Sequence, residues 1–553
     1  MKYAFTFVIV IAFTAAILAQ TGKGSVKSSA APGRPKLVVG LVIDQMRFDY
    51  VYRFWDKLGN DGFKRMLSEG YNCRNTNYNY VPTFTGPGHA SIYTGTTPSV
   101  HGIIANKWYD RDLKKGSYCV SDPAVNPVGS NVDEGKRSPK KMLTTTVGDQ
   151  LHLATNNESK VIGIALKDRS AILPAGHTAN GAYWFDDSTG FFITSSFYRQ
   201  DLPQWLNDFN GKKLAAKYLS QDWNLLRDSS QYTESIRDNN KYEETFNGET
   251  APVFPHKLPE LFLKKNAKYG LIRNTPFGNS ITEDLAEATI IGENMGKNTK
   301  PDFLCVSFSS TDYIGHMYGP TSREIEDTYL RLDQELADFF KFLDSWIGKN
   351  NVVVFLTADH GVVETPEFLK DQKIPAGYFD EKKCADSLQK TLIRKYGDTL
   401  LSSYSNDQVF LNRKKIAAKG LRREDVQDFV AEFLMGFKGV AACMTESDIS
   451  SNQYTVSPKK QVQNGFNFRR SGDVCVVLEP GWFGDWSGKA GTTHGSAWNY
   501  DTHVPLYWWG WKIKPGSSEV NQDITDIAPT LCMMLNIQFP DGCTGQPITG
   551  LLK

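Results

Sequence analysis

Apolar residues along the chain fall into two recurrent patterns, and the elements they predict alternate. Residues 36 to 44, KLVVGLVID, form an unbroken β-branched run that ends on an acid. Such a run suits a parallel strand covered on both faces, because apolar–polar alternation disappears when neither face meets water. Similar runs recur at 160–167 (KVIGIALK), 303–310 (FLCVSFSS) and 352–360 (VVVFLTADH). Between them the period lengthens. Residues 322 to 348 space their apolar side chains three and four apart among many charges, which predicts an amphipathic helix. Residues 524 to 537 predict a last helix returning to the core. Strands alternating with helices predict an α/β fold with a mostly parallel central sheet and helices on both faces.

Two stretches break this rhythm. Residues from about 171 to 275 are rich in aromatics, Asn and Gly, and those from about 364 to 480 mix helical and strand signals. Both are expected to be insertions that cap the strand ends within one domain spanning 35–553. There is no internal repeat. Residues 20–34, QTGKGSVKSSAAPGR, read as a flexible leader. Ahead of them, Lys2 precedes an apolar run from Ala4 to Leu18, and Ala19 and Gln20 follow. That is the shape of a signal peptide over 1–19. The run is shorter than the ~20 residues a membrane helix needs, and no Cys follows it to carry a lipid. The product is expected to be exported, with no stable membrane association.

Composition narrows the class. With 40% hydrophobic and 22% charged residues, the chain is neither disordered, fibrous nor membrane-embedded in character. A formal charge of +1 gives no global field for nucleic acid or an anionic surface. Export permits disulfides among the eight cysteines. No C-x-x-C pair occurs, so a thiolate zinc site has no support. Cys305 and Cys475 lie in strand-like runs and are expected to be buried. Cys532–Cys543 and Cys73–Cys119 are candidate bridges, although spacing does not fix the pairing.

The predicted strand ends carry the polar residues: Asp44, Lys167, Asp312, and Asp359 with His360. In open α/β sheets ligands sit beyond the carboxyl ends of the strands. Asp312 and His316 stand four apart and share a face if helical. His494 lies in a Gly-rich loop. Three carboxylates and three imidazoles suit two zinc-like metals better than one. Any one Asp–His fragment alone reads more simply as a surface pair or a cap, but together they converge on one edge.

The segment 81–95, VPTFTGPGHASIYTG, places Thr85 before Gly86, Pro87 and Gly88 and then a helical run. One reading is a capping threonine only. The other is that free N–H groups and the positive helix end face a phosphate, with Thr85 as a nucleophile activated by a nearby metal. Thr83 is the near rival. Lys167, Arg169 and Asn106 are candidates to grip phosphoryl oxygens, against the simpler reading of solvated charges at a strand end.

These residues, in the order VIDQMR, PTFTGPGHASIYTG, HGIIAN, KDRS, TDYIGHMYGP, TADHG and GTTHG, resemble the alkaline phosphatase superfamily. The chain looks closest to the bacterial threonine-nucleophile alkaline phosphatases of the phosphate-irrepressible type, and is more distantly similar to nucleotide pyrophosphatase/phosphodiesterases. The resemblance runs from about residue 36 to 545. It implies one zinc held by Asp312, His316 and His494, and another held by Asp44, Asp359 and His360 with the Thr85 oxygen on it. It implies a covalent phosphothreonine at Thr85, and contacts from Asn106, Lys167 and Arg169 to the non-bridging oxygens. The substrates implied are small phosphate monoesters, with inorganic phosphate as product inhibitor, in the periplasm or outside the cell. No third, magnesium-binding set is evident, so no magnesium requirement is expected, and the chain is expected to be a monomer. Three alternatives share parts of this pattern. A phosphodiesterase would keep the fold and metals. A sulfatase would need a C/S-x-P-x-R signature, which is absent. A non-catalytic phosphate- or metal-binding protein would have no need of Thr85.

Overall fold

The computed structural model describes residues 33–264, 268–484 and 490–551. The expected signal segment, 1–19, and all but the last two residues of the leader lie outside the described residues. The first β-branched run becomes the middle of the central sheet as β1, Leu37–Ile43, with all seven residues buried. Burial of both alternating sets means that both faces are covered. In chain order the other strands of this sheet are β2 (Tyr71–Cys73), β3 (Pro127–Val128), β4 (Val161–Ala165), β5 (Gly181–Asp186) and β6 (Phe191–Ser195). They continue with β7 (Asp302–Phe308), β8 (Val352–Thr357), β9 (Leu506–Gly510) and β10 (Gly516–Ser518). Their spatial order is β10-β2-β9-β8-β1-β7-β4-β5-β6-β3. Strands β8, β1, β7, β4 and β5 run parallel, while β9 and β6 turn antiparallel on either side.

Register decides where the chemistry goes. Ile43 lies beside Phe308, and Val42 beside Thr357. The residues that follow β1, β7 and β8 therefore emerge together at one edge. Gly40 in β1 permits this packing: a β-carbon there would come within 2.6 Å of both the Phe355 ring and the Tyr93 hydroxyl. Gly40→Ala is expected to destabilise the fold by about 1–3 kcal/mol, the usual cost of overpacking. An unchanged urea midpoint would refute that.

The helices used below are α1 (Thr85–Thr94), α2 (Asp168–Ala175), α3 (Phe277–Gly292), α4 (Ser310–Tyr318), α5 (Arg323–Trp346) and α6 (Ile527–Leu535). Helix α5 starts where Ser322 Oγ accepts from the Ile325 N–H at 3.2 Å, and it packs on α3 and α4. The terminal helix α6 is shorter than the 524–537 read from sequence. Its first turn, Ile524–Asp526, is a 3-10 helix.

Within 364–480, strands 401–405, 408–411, 474–478 and 440–445 build a separate four-stranded sheet in that spatial order. Helices Glu381–Tyr396 and Arg423–Met435 cover it around a core that includes Leu388, Leu392, Val430 and Leu434. By the density of its contacts, Pro35–Lys553 forms one unit. None of the described helices is long and apolar enough to cross a membrane.

The expected disulfides are corrected. All eight cysteines are free thiols, so neither Cys532–Cys543 nor Cys73–Cys119 forms. Cys73 packs in the main core and Cys119 in a separate one. Cys305 and Cys475 are buried.

Candidate active site

Asp44 directly follows β1, and Asp359 and His360 lie just beyond β8. Asp312 and His316 sit one turn apart on α4, which leaves β7. Lys167 and Arg169 flank the start of α2. All six carboxylate and imidazole candidates are buried or nearly so.

They form two overlapping groups. One ligand atom from each of Asp312, His316 and His494 lies within 4.8 Å of the others, and the same holds for Asp44, Asp312 and His360. Asp312 is thus common to both. Asp359 stands beside the second group, with Oδ2 3.5 Å from His360 Nε2. The ring orientations are fixed from behind. His316 Nδ1 lies 2.8 Å from the Thr492 carbonyl, His494 Nδ1 2.7 Å from that of Thr83, and His360 Nδ1 3.0 Å from that of Gly361. A carbonyl accepts only, so each Nδ1 carries a proton and each Nε2 turns inward. That of His316 lies 3.1 Å from Asp312 Oδ1, which, against the effect of burial, raises the pKa of the His316 imidazole. Asp44 Oδ1, Asp359 Oδ2 and His360 Nε2 are buried there without a hydrogen-bond partner. Buried acceptors left unmatched are costly. A divalent cation fits this donor set of oxygens and imidazole nitrogens.

Electrostatics point the same way. Burial pushes the Asp44 carboxyl up to about 6 even though Lys167 opposes the shift. Burial, reinforced by Asp44, drives Asp359 well above the carboxylate range. Burial also works against ionised Asp312, but His316 and Lys167 outweigh it and hold Asp312 well below that range. Burial depresses His494 to about 3, so its ring is neutral.

Thr85 is the first residue of α1, and Phe84 occupies the capping position. The capping reading of Thr85 is therefore corrected. Its Oγ instead faces Arg169, whose Nη2 lies 3.4 Å away. Thr83, the rival, spends its hydroxyl on the Ser496 carbonyl at 3.0 Å. The Gly86 N–H donates to Asn106 Oδ1 at 2.7 Å, which leaves the Asn106 NH2 for another acceptor. Lys167 Nζ reaches Asp44 Oδ2 at 2.7 Å and Asp312 Oδ2 at 2.6 Å, tying the two groups together. Helix α1 can approach this closely because position 88 has no side chain. A β-carbon on Gly88 would lie 2.4 Å from the Asp359 carbonyl oxygen.

Three contributors escaped the sequence reading. Gln45, at φ 66°, gives its N–H to Asp359 Oδ1 (3.1 Å) and its Nε2 to Asp312 Oδ1 (2.7 Å). His89 bridges the Thr85 carbonyl and Ser307 Oγ, each at 2.9 Å. Tyr118 accepts from Arg169 Nη1 at 3.2 Å and donates to Asp168. The position of Gln45 straight after Asp44, and the four-residue step from Thr85 to His89, were the available signals.

Two cavities open on this edge. One, about 510 Å³, is lined by Lys167, Arg169, Arg137 and Arg273 with Tyr118 and Tyr313. The other, about 520 Å³, is lined by Phe84, Thr493 and His494 on one side and by Tyr404, Trp482 and Phe483 on the other.

Comparison with known proteins follows the same lines. The profile of the type I phosphodiesterase / nucleotide pyrophosphatase family matches residues 38–497. A protein from Elizabethkingia meningoseptica, named alkaline phosphatase PafA, is 48% identical over 534 residues, which is 96% of this chain and 96% of its own. Alkaline phosphatase PhoV from Synechococcus elongatus is 45% identical over 549 residues, 99% of this chain and 98% of its own. The crystal structure of wild-type alkaline phosphatase PafA matches with a TM-score of 0.91 at 46% identity, covering 95% of this chain and 100% of that one.

Proposed function

Since this chain belongs to the type I phosphodiesterase / nucleotide pyrophosphatase family, within the alkaline phosphatase superfamily, we propose that it is an exported alkaline phosphatase. In this reading it hydrolyses phosphate monoesters with Thr85 as nucleophile. The observation that carries the choice of monoesters is the Arg169 guanidinium beside the nucleophile, with a second cation, Lys167, buried between the neighbouring carboxylates. Arg169 lies 3.4 Å from the Thr85 hydroxyl, and Lys167 lies between the two carboxylate–imidazole groups. A monoester dianion presents more charge to such a pair than a diester does.

Divalent metal use follows from the family. Two zincs are our reading, held by Asp312, His316 and His494 and by Asp44, Asp359 and His360, with no magnesium required. When bound, they supply positive charge that offsets the charge developing on the reacting oxygens. The protein's own groups do the rest. Thr85 Oγ forms a bond to phosphorus as the ester P–O bond breaks, and the alcohol leaves with a proton. Water then cleaves the phosphothreonine and releases phosphate. Arg169, Lys167 and the Asn106 NH2 hold the non-bridging oxygens; the Gly86 N–H of α1 contributes by fixing Asn106 through its Oδ1. Inorganic phosphate offers the same charge and is expected to inhibit.

The family profile's own description favours one rival, a phosphodiesterase. The test compares kcat/KM of the zinc-loaded protein for p-nitrophenyl phosphate and bis-p-nitrophenyl phosphate. A strong monoester preference supports the proposal, and a diester preference overturns it. Metal removal gives a second expectation. EDTA should abolish turnover and lower Tm by about 5 °C or more, since a ligand bound only by the folded state stabilises it. Zinc should restore both at two ions per chain, as counted by elemental analysis. Export through the segment 1–19 and a monomeric state complete the reading.

A further inference from the structure

The two cavities divide the candidate site by chemistry. The first is lined by Lys167, Arg137, Arg169 and Arg273 together with Glu134, Asp168 and Asp187; Arg137 pairs with Asp168 and Arg273 with Asp187, and Arg169 reaches the Thr85 hydroxyl. Phosphoryl oxygens belong on that side. The second begins at Phe84, next to Thr85 in the chain, and at His494, against which Phe84 packs edge-on at 5.7 Å. At about 520 Å³ it is large enough for a sizeable organic group.

Its far wall comes from the inserted sheet. Strands 401–405 and 408–411 pair so that Ser405 faces Gln408, leaving Asn406 and Asp407 as a two-residue turn. Both turn residues have positive φ, 53° and 54°, as a tight hairpin with the matching twist requires. The turn is pinned on two sides. Asn406 Nδ2 donates to the Lys107 carbonyl at 2.8 Å, and the Val476 N–H donates to the Asp407 carbonyl at 2.8 Å. Asp407 is thereby held on the cavity wall beside Tyr404, Trp482 and Phe483, with Glu381 on the same wall. The lysine on this wall, Lys382, is exposed. Desolvation, helped by Glu381, pushes the Asp407 carboxyl up to about 7. A cation brought to it would hold it ionised.

Aromatic faces together with a partly buried carboxylate attract organic cations, through the ring quadrupole and through charge. We propose that this second cavity receives the alcohol part of the substrate, and that it selects phosphate monoesters whose alcohol carries an organic cation. The assignment rests on the monoesterase reading above and deepens it. Asp407 supplies the charge and Tyr404 a ring face; Trp482, with Lys438 Nζ 5.5 Å from its ring centroid, adds aromatic lining to the same wall, and Phe84 makes the join to the reacting centre.

The test uses two esters of matched shape, phosphocholine and 3,3-dimethylbutyl phosphate, which differ in one positive charge. With the full-length zinc-loaded protein, kcat/KM for phosphocholine is expected to exceed that for the neutral ester by about 10-fold. Asp407→Asn, which keeps shape and tolerates positive φ, should collapse that ratio to near one. Trp482→Leu should lower the ratio by a separate route and covers the case in which the first variant fails to fold. Equal values for the two esters in the wild type overturn the proposal, as does a ratio that survives both substitutions. Methyl phosphate, whose alcohol part is too small to span the cavity to Asp407, separates the two levels. If the wild type does not hydrolyse it, the monoesterase reading itself falls, and this assignment falls with it.

Discussion

Thr85→Ala is expected to lower kcat for phosphate monoesters by at least ~10⁴-fold, the scale on which loss of a catalytic nucleophile is felt. The fold should not suffer. The Thr85 hydroxyl caps nothing, and its one neighbouring donor, Arg169 Nη2 at 3.4 Å, also has Tyr118 beside it. The metal groups should not suffer either, because their imidazoles are held by the carbonyls of Thr83, Gly361 and Thr492. Tm and zinc content should therefore match wild type, and rapid quench with labelled substrate should trap no phosphoprotein. Residual activity within 10-fold of wild type would remove Thr85 from the reaction. Thr83→Ala is the comparison, since its hydroxyl is already engaged by Ser496.

Arg169→Ala is expected to reduce kcat/KM for monoesters by about 10²–10³-fold, the cost of one charged donor at a reacting oxyanion. Diesters should lose less than about 10-fold, because a diester has one charged oxygen fewer to lose contact with. The guanidinium is half-buried, and Tyr118 aims it. Arg169→Lys should not rescue it, since an ammonium cannot reproduce the two-pronged geometry. Equal losses on monoesters and diesters would mean that the pair does not read dianion charge.

Some of this architecture was legible in the chain. Four of the five strands in the central parallel run, β8-β1-β7-β4-β5, were visible as β-branched runs, because burial on both faces removes polar residues from the pattern. The same logic located the edge: Asp44, Lys167 and Asp359 are conspicuous as charges that end such runs. The strand β5 and its antiparallel neighbour β6 were not read, since Gly181–Asp186 is rich in aromatics and lies inside a stretch that looked irregular. The roles of Thr83 and Thr85 could not be separated, because the difference lies in Ser496, a partner more than 400 residues away. Burial of Cys73 and Cys119 in different cores was invisible for the same reason. Spacing proposes neighbours along the chain; it does not reveal which side chains tertiary packing brings together.

The register of β1 carries one more consequence. It pairs along its whole length with β7 on one side and from Leu37 to Val42 with β8 on the other, with every residue buried. Amides in such a strand exchange with solvent only when the whole molecule opens. The strand 401–405 is an edge of a smaller sheet and is partly exposed throughout, so its amides exchange through local opening. Deuterium uptake should thus divide the site in two: slow at Leu37–Ile43, fast at Leu401–Ser405. The edge beyond β1 keeps its shape for as long as the protein is folded, whereas the outer strand of the inserted sheet opens on its own next to a turn that stays pinned at Asn406 and Asp407.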